Sequence, residues 1–144
     1  MSSIAKNSDK APEPVGLYPH ARWAGDFLYL SGIGPRVKGS KDIPGVTKNA
    51  NGEVVAHDIE VQCRSVFNNV RDVLEASGAE WKDLVKVVVY LTDMKGDFKK
   101  YNALWAEYFA DNPPCRTTLE VLSLPTPIAI ELDCVAYRKG GPKP

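Results

Sequence analysis

Residues 84–121 read LVKVVVYLTDMKGDFKKYNALWAEYFADNPPCRTTLEV, and the fold turns on them. LVKVVVYLT is β-branched with little polar alternation, the pattern of a strand covered on both faces. Asp97 is expected to cap a helix whose inner stripe is Phe98, Tyr101, Leu104, Trp105 and Tyr108. Pro113-Pro114 forbids its continuation. CRTTLEV then reads as a second strand. A strand–helix–strand unit of this kind crosses over right-handed and lays its helix on one face of the sheet.

Working upstream, Ile59, Cys63, Val66, Phe67, Val70, Val73 and Leu74 recur at helical spacing, with Asp58 placed to cap and Gly78 to stop the helix. LYPHARWAGDFLYLSG reads as a hairpin turning at Gly25-Asp26. Between them, residues 35–52 form a long loop rich in Gly, Pro, Lys and Asn, with a turn at Asn51-Gly52. Downstream, IAIELDCVAY is a last strand joined to CRTTLEVLSL around Pro125-Thr126-Pro127. The expected order is β-β-α-β-α-β-β, an α+β fold with one mixed sheet and both helices packed on one face. Residues 1–14 read as a flexible leader, 15–138 as a single domain and 139–144 as a tail. Val87, Val88, Val89 and Leu91 place apolar side chains on both faces of their strand, while the helices cover only one. A second copy of the chain is the simplest cover for the other.

Composition narrows the function classes. The 144 residues carry 18 basic and 18 acidic side chains, so an electrostatic grip on nucleic acid is not expected. No apolar run approaches the roughly 20 residues of a membrane helix, and no membrane partner is expected. The polar opening MSSIAKNSDKAPEPVG has no secretory core. Three widely spaced cysteines, Cys63, Cys115 and Cys134, suit a reduced, cytoplasmic protein.

Few residues offer chemistry. His20 and His57 lie in different segments and no cysteine pair has ligand spacing, so no metal is expected. SGIGP, residues 31–35, lacks the third glycine and the immediate helix of a dinucleotide site. It reads either as a strand-ending turn or as a close backbone approach to a small ligand. Arg116 shares a strand face with Thr118 and Glu120. Glu131 and Asp133 lie opposite the apolar face Ile128, Ile130, Leu132, Cys134 and Ala136. Charges on strands of a buried sheet are costly unless paired. Two readings stay open: a structural ion pair or plain exposure, and a pocket where Arg116 clamps a carboxylate while Glu131 moves protons or holds water. In the second, both open into a shared crevice at a contact between protomers.

The segments GLYPHA, FLYLSGIGP, NGEVVAHDIEVQCRSVFNNVRDVLEASGA, LVKVVVYLTDMKGDFKKYNALWAEYF, PPCRTTLEV and LPTPIAIELDCVAY together resemble the RidA/YjgF family of enamine/imine deaminases, over about residues 16–137. The resemblance implies a chorismate-mutase-like fold, a homotrimer or a pair of trimers, ligand clefts between neighbours and no cofactor. It implies that Arg116 binds the substrate carboxylate, that Glu131 positions water, and that Tyr18, Ser31, Gly32 and Asn102 complete the site. The chain departs from the family text in SGIGP, where SGQIP is usual, in Thr118, where many members carry cysteine, and in its longer loop 35–52. With a general deaminase of 2-iminoacids and a non-catalytic trimer that binds small metabolites as the alternatives, it is most similar to the branch that deaminates 2-aminomuconate in aromatic-compound degradation. Such a dicarboxylate enamine needs a second cation, for which Arg36, Lys38 and His20 are the candidates. Thr118 or backbone N–H groups near Ser31 and Gly32 are expected to support the polar intermediate.

Overall fold

The computed structural model describes residues 4–144. A six-stranded mixed sheet runs in the order β1-β2-β3-β8-β6-β7, and a separate two-stranded ribbon pairs β4 with β5. The sheet strands are β1 (Ile4–Lys6), β2 (Ala21–Ala24), β3 (Phe27–Leu30), β6 (Leu84–Leu91), β7 (Cys115–Glu120) and β8 (Ile130–Tyr137). The ribbon strands are β4 (Val46–Lys48) and β5 (Val54–His57). Two helices, α1 (Ile59–Ala76) and α2 (Met94–Tyr108), carry the second layer.

The expected elements are all present. Asp58 caps α1, its carboxylate accepting from the backbone N–H groups of Glu60 and Val61. The predicted stripe of α1 is buried throughout, Val66, Phe67 and Val70 completely. Each such side chain stabilises the fold by about 1.5–3 kcal/mol. The turn at Gly25, with φ of +62°, joins β2 to β3 in register Trp23↔Leu28. β6 and β7 are parallel across α2, and β6 pairs antiparallel with β8. Leu84, Val87, Val89 and Leu91 of β6 and Ile130, Leu132, Cys134 and Ala136 of β8 are buried on the helix side. On the other face Phe27, Tyr29, Leu119 and Tyr137 remain exposed.

Four expectations are corrected. The cap of α2 is Asp93, whose carboxylate accepts from Gly96 N–H at 3.0 Å. Asp97 lies inside the helix, buried, and accepts from His57 Nε2 at 2.6 Å. Of the expected inner stripe of α2, Tyr101, Leu104 and Trp105 are buried and Tyr108 packs half-buried against the core, while Phe98 is exposed. Loop 35–52 is partly ordered by the β4–β5 ribbon, which His57 ties to α2 and which Gly45 ties to Asp58 through its carbonyl. Both terminal segments are docked over their described residues, the first three residues of the expected leader lying outside them. Ile4–Lys6 forms an edge strand on β2, and Ala11 is buried. In the last segment Lys143 N–H donates to the Gly78 carbonyl while its ammonium pairs with Glu80 at 2.6 Å. No helix among the described residues is long and apolar enough to cross a membrane.

Candidate functional site

Strand pairing decides where the two expected catalytic groups point. Arg116 stands opposite Val87, whose side chain is buried against the helices. Glu131 stands opposite Tyr90, one pleat position of the other parity, and therefore leaves by the open face. Within one protomer the two side chains do not share a crevice. Each lies in its own surroundings.

Arg116 projects from the edge strand β7 onto α2. Its guanidinium carbon lies 5.2 Å from the ring centre of Tyr101 and 5.0 Å from that of Trp105. Stacking of this kind holds the planar fork in place. No carboxylate reaches it within salt-bridge distance among the described residues, and its Nη1 is buried without a hydrogen-bond partner. A buried cationic donor left unpaired is costly, so the arrangement favours an incoming anion. Thr118, one pleat along, shares a 2.8 Å hydrogen bond with the Tyr101 hydroxyl. Burial pushes that phenol above its usual range. Asn102 is exposed on α2 next to Tyr101.

Glu131 sits at the start of β8, against the chain segment leaving β3. Gly32 faces it so closely that an added Cβ would lie 2.9 Å from Glu131 Oε2. The missing side chain is what lets the carboxylate lie there. Glu131 makes no hydrogen bond or ion pair among the described residues. Burial, reinforced by the neighbouring Asp133 carboxylate, raises its pKa above the ordinary value, while the Arg36 charge partly opposes the rise. Glu131, Gly32, Tyr18 and Arg36 line one recess with Thr126 and Ile128. An adjoining recess shares Tyr18, Gly32 and Arg36 and adds Ser31 and His20. A broader hollow lined by Arg71, Gly78, Trp81 and Lys143 gathers none of these groups.

The other expected site residues divide by what already occupies them. Ser31 Oγ donates to the Pro19 carbonyl at 2.7 Å, bracing the Tyr18 segment. The Tyr18 hydroxyl accepts from Val15 N–H at 3.3 Å. His20 is a structural residue. Its Nδ1 accepts from Ser8 N–H at 2.9 Å, and its Nε2 meets the Pro12 carbonyl at 2.8 Å. Both ring nitrogens hold the N-terminal segment down, which leaves none for a second carboxylate. Lys38 pairs with Glu13 at 3.6 Å and lines a different hollow with Asn7 and Arg22. Arg36 donates through Nη2 to the Glu13 carbonyl at 2.9 Å and has no carboxylate within salt-bridge distance among the described residues.

Sequence reasoning missed the residues that set these groups in place. Tyr101 and Trp105 were expected only as core, yet they form the bed under Arg116. On α1, Gln62, Ser65 and Asn69 hold the site loops. Asn69 Nδ2 donates to the carbonyls of Gly34 and Arg36 at 2.9 and 2.7 Å. Ser65 Oγ donates to the Pro35 carbonyl at 2.7 Å. Gln62, fully buried, donates to the Pro44 carbonyl and accepts from Ala129 N–H, two residues before Glu131. Their signal is polar residues at i, i+3 and i+7 bordering an apolar helical stripe. No group of three or more metal-ligating side chains occurs among the described residues. Burial pushes the Cys63 thiol up to about 12 and raises Cys134 as well.

Comparison with known proteins agrees with this architecture. The model of the endoribonuclease L-PSP family matches residues 8–138. A RutC family protein of Pyrococcus horikoshii is 40% identical over 132 residues, covering 92% of this chain and 95% of its own. The chloroplastic Reactive Intermediate Deaminase A of Arabidopsis thaliana is 33% identical over 138 residues, covering 94% of this chain and 67% of its own. The crystal structure of the YjgF gene product of E. coli superposes with a TM-score of 0.77 at 29% identity, covering 94% and 99% of the two chains. A match over nearly the whole chain, in sequence and in fold, makes this protein a member of the endoribonuclease L-PSP family, the RidA/YjgF group.

Proposed function

We propose that this protein is a cofactor-independent deaminase that hydrolyses enamine and imine acids to 2-oxo acids and ammonia, and that its substrate is 2-aminomuconate. The observation that carries the deaminase reading is the pair of unsatisfied groups. One is a guanidinium with a buried free donor, stacked on two rings. The other is a half-buried carboxylate with a raised pKa and no partner. The first suits a substrate carboxylate. The second suits a group that takes a proton from water and gives it back. A relative of 33% identity bears the name Reactive Intermediate Deaminase A, which points the same way.

The chemistry balances without a cofactor. A proton from solvent adds to the enamine at carbon and gives an iminium ion. Glu131 takes a proton from a water as the water oxygen bonds to C2. The carbinolamine then collapses: Glu131 returns its proton to nitrogen, the C–N bond breaks as the C=O bond forms, the hydroxyl proton passes to solvent, and ammonia leaves behind a 2-oxo acid. From 2-aminomuconate the product is 2-oxohex-3-enedioate, also called 4-oxalocrotonate. Since Arg116 and Glu131 leave opposite faces of one sheet, the site takes Arg116 from one copy and Glu131 from another. The exposed apolar side chains Phe27, Tyr29, Leu119 and Tyr137 on the open face support assembly of copies there, and the family resemblance makes the assembly a homotrimer or a pair of trimers. The family description speaks of an endoribonuclease, but the net charge is zero, His20 is consumed by backbone and His57 is paired with Asp97.

The test is ammonia release from 2-aminomuconate and from 2-iminobutanoate, each generated in situ. Wild type is expected to hydrolyse at least one. Glu131→Gln should lower kcat at least a hundredfold with little change in KM, and Arg116→Ala should damage both. Wild-type rates from Glu131→Gln would remove it from the mechanism.

A further inference from the structure

The loop after β3 carries a cation, Arg36, that has no carboxylate within salt-bridge distance among the described residues. We propose that Arg36 is the specificity residue of this site, selecting substrates with a second carboxylate remote from the reacting carbon. This rests on the deaminase reading above. Three candidates could supply a second cation, and the structure separates them. His20 has both ring nitrogens bound to backbone. Lys38 is ion-paired with Glu13 and lines a hollow that shares Tyr18 with the recess and includes neither Glu131 nor Gly32. Arg36 lines the same recess as Glu131, Gly32 and Tyr18, and its field reaches Glu131.

The backbone around Arg36 is held more firmly than a solvated loop requires. Three successive carbonyls, of Gly34, Pro35 and Arg36, accept hydrogen bonds from Asn69 and Ser65 of α1. The side chain itself is braced from outside, Nη2 donating to the Glu13 carbonyl. A guanidinium has five N–H donors, so most remain for a ligand. The one hydrogen bond it makes among the described residues is to a neutral carbonyl, so no ion pair occupies its charge. A dicarboxylate held at one end by Arg116 and attacked beside Glu131 would extend its far end into this recess. A monocarboxylate would leave Arg36 solvated and gain nothing from it. Asn69 is the positioning residue for this clamp.

The experiment compares kcat/KM for 2-aminomuconate and for 2-iminobutanoate in wild type, Arg36→Leu and Arg36→Lys, with melting curves as a check on folding. A charge-assisted contact of this kind sets a preference of about ten- to a hundredfold. The dicarboxylate-to-monocarboxylate ratio should therefore fall by about that factor in Arg36→Leu, through KM, with partial recovery in Arg36→Lys. Asn69→Ala should lower the same ratio in the same direction. An unchanged ratio in Arg36→Leu, or equal losses on both substrates, overturns the assignment. So does a wild type that hydrolyses only the monocarboxylate, an outcome that leaves the deaminase reading standing. A wild type inert on both substrates removes that reading instead.

Discussion

Gly32→Ala probes Glu131 without touching its chemistry. Gly32 has no positive φ, so its backbone accepts alanine. The new methyl carbon would lie 2.9 Å from Oε2 and 3.0 Å from Cδ of Glu131, where ordinary contact begins at 3.4 Å. The carboxylate must retreat by about 0.5 Å to restore contact. Since the displaced atoms end a flexible side chain, the folding cost is small. It is offset by the roughly 0.4–1 kcal/mol gained from a less mobile unfolded chain. The melting temperature should stay within about 5 °C of wild type. Catalysis is less forgiving. A displacement of about 1 Å can cost on the order of a hundredfold, so half of that predicts about a tenfold fall in kcat. Ammonia release at saturating substrate reads this directly. In a Glu131→Gln background the same substitution should cost almost nothing more, because the two changes act through one group. Full activity in Gly32→Ala, or independent losses in the double variant, would refute the placement of Glu131 in the reaction.

Two further outcomes follow from the packing. Gln62→Leu strands the Pro44 carbonyl and the Ala129 N–H inside the protein and should destabilise by about 2–4 kcal/mol. Urea denaturation should show this as a lower midpoint at unchanged slope, and a loss below about 1 kcal/mol would mean that water replaces the amide. Of the three thiols only Cys115 is exposed. Aromatic disulfide reagent at pH 8 should therefore titrate no more than one thiol per native chain and all three in denaturant, and a native count of three would contradict the buried core.

Much of the fold was legible because it is written in local patterns. The α1 stripe follows a helical period, Asp58 precedes it, and Pro113-Pro114 interrupts the chain beyond α2. What was misread depended on partners distant in sequence. Asp93 and Asp97 both precede helix-forming residues, and only the ring of His57, forty residues earlier, explains why Asp97 is buried instead of capping. Residues 4–6 look like a loose leader until β2 offers an edge. Arg116 and Glu131 stand out in the sequence as candidates, while their relative geometry does not. Alternation fixed which residues share a face within β7 and within β8. The registers Val87↔Arg116 and Tyr90↔Glu131 fixed that the two faces are opposite, and neither strand alone encodes that relation.

That opposition has a genetic corollary. A chain crippled at Arg116 still offers an intact Glu131, and a chain crippled at Glu131 still offers an intact Arg116. Where each working junction draws one group from either neighbour, two dead alleles expressed together would rebuild some whole junctions, and neither defect would behave as fully recessive or fully dominant.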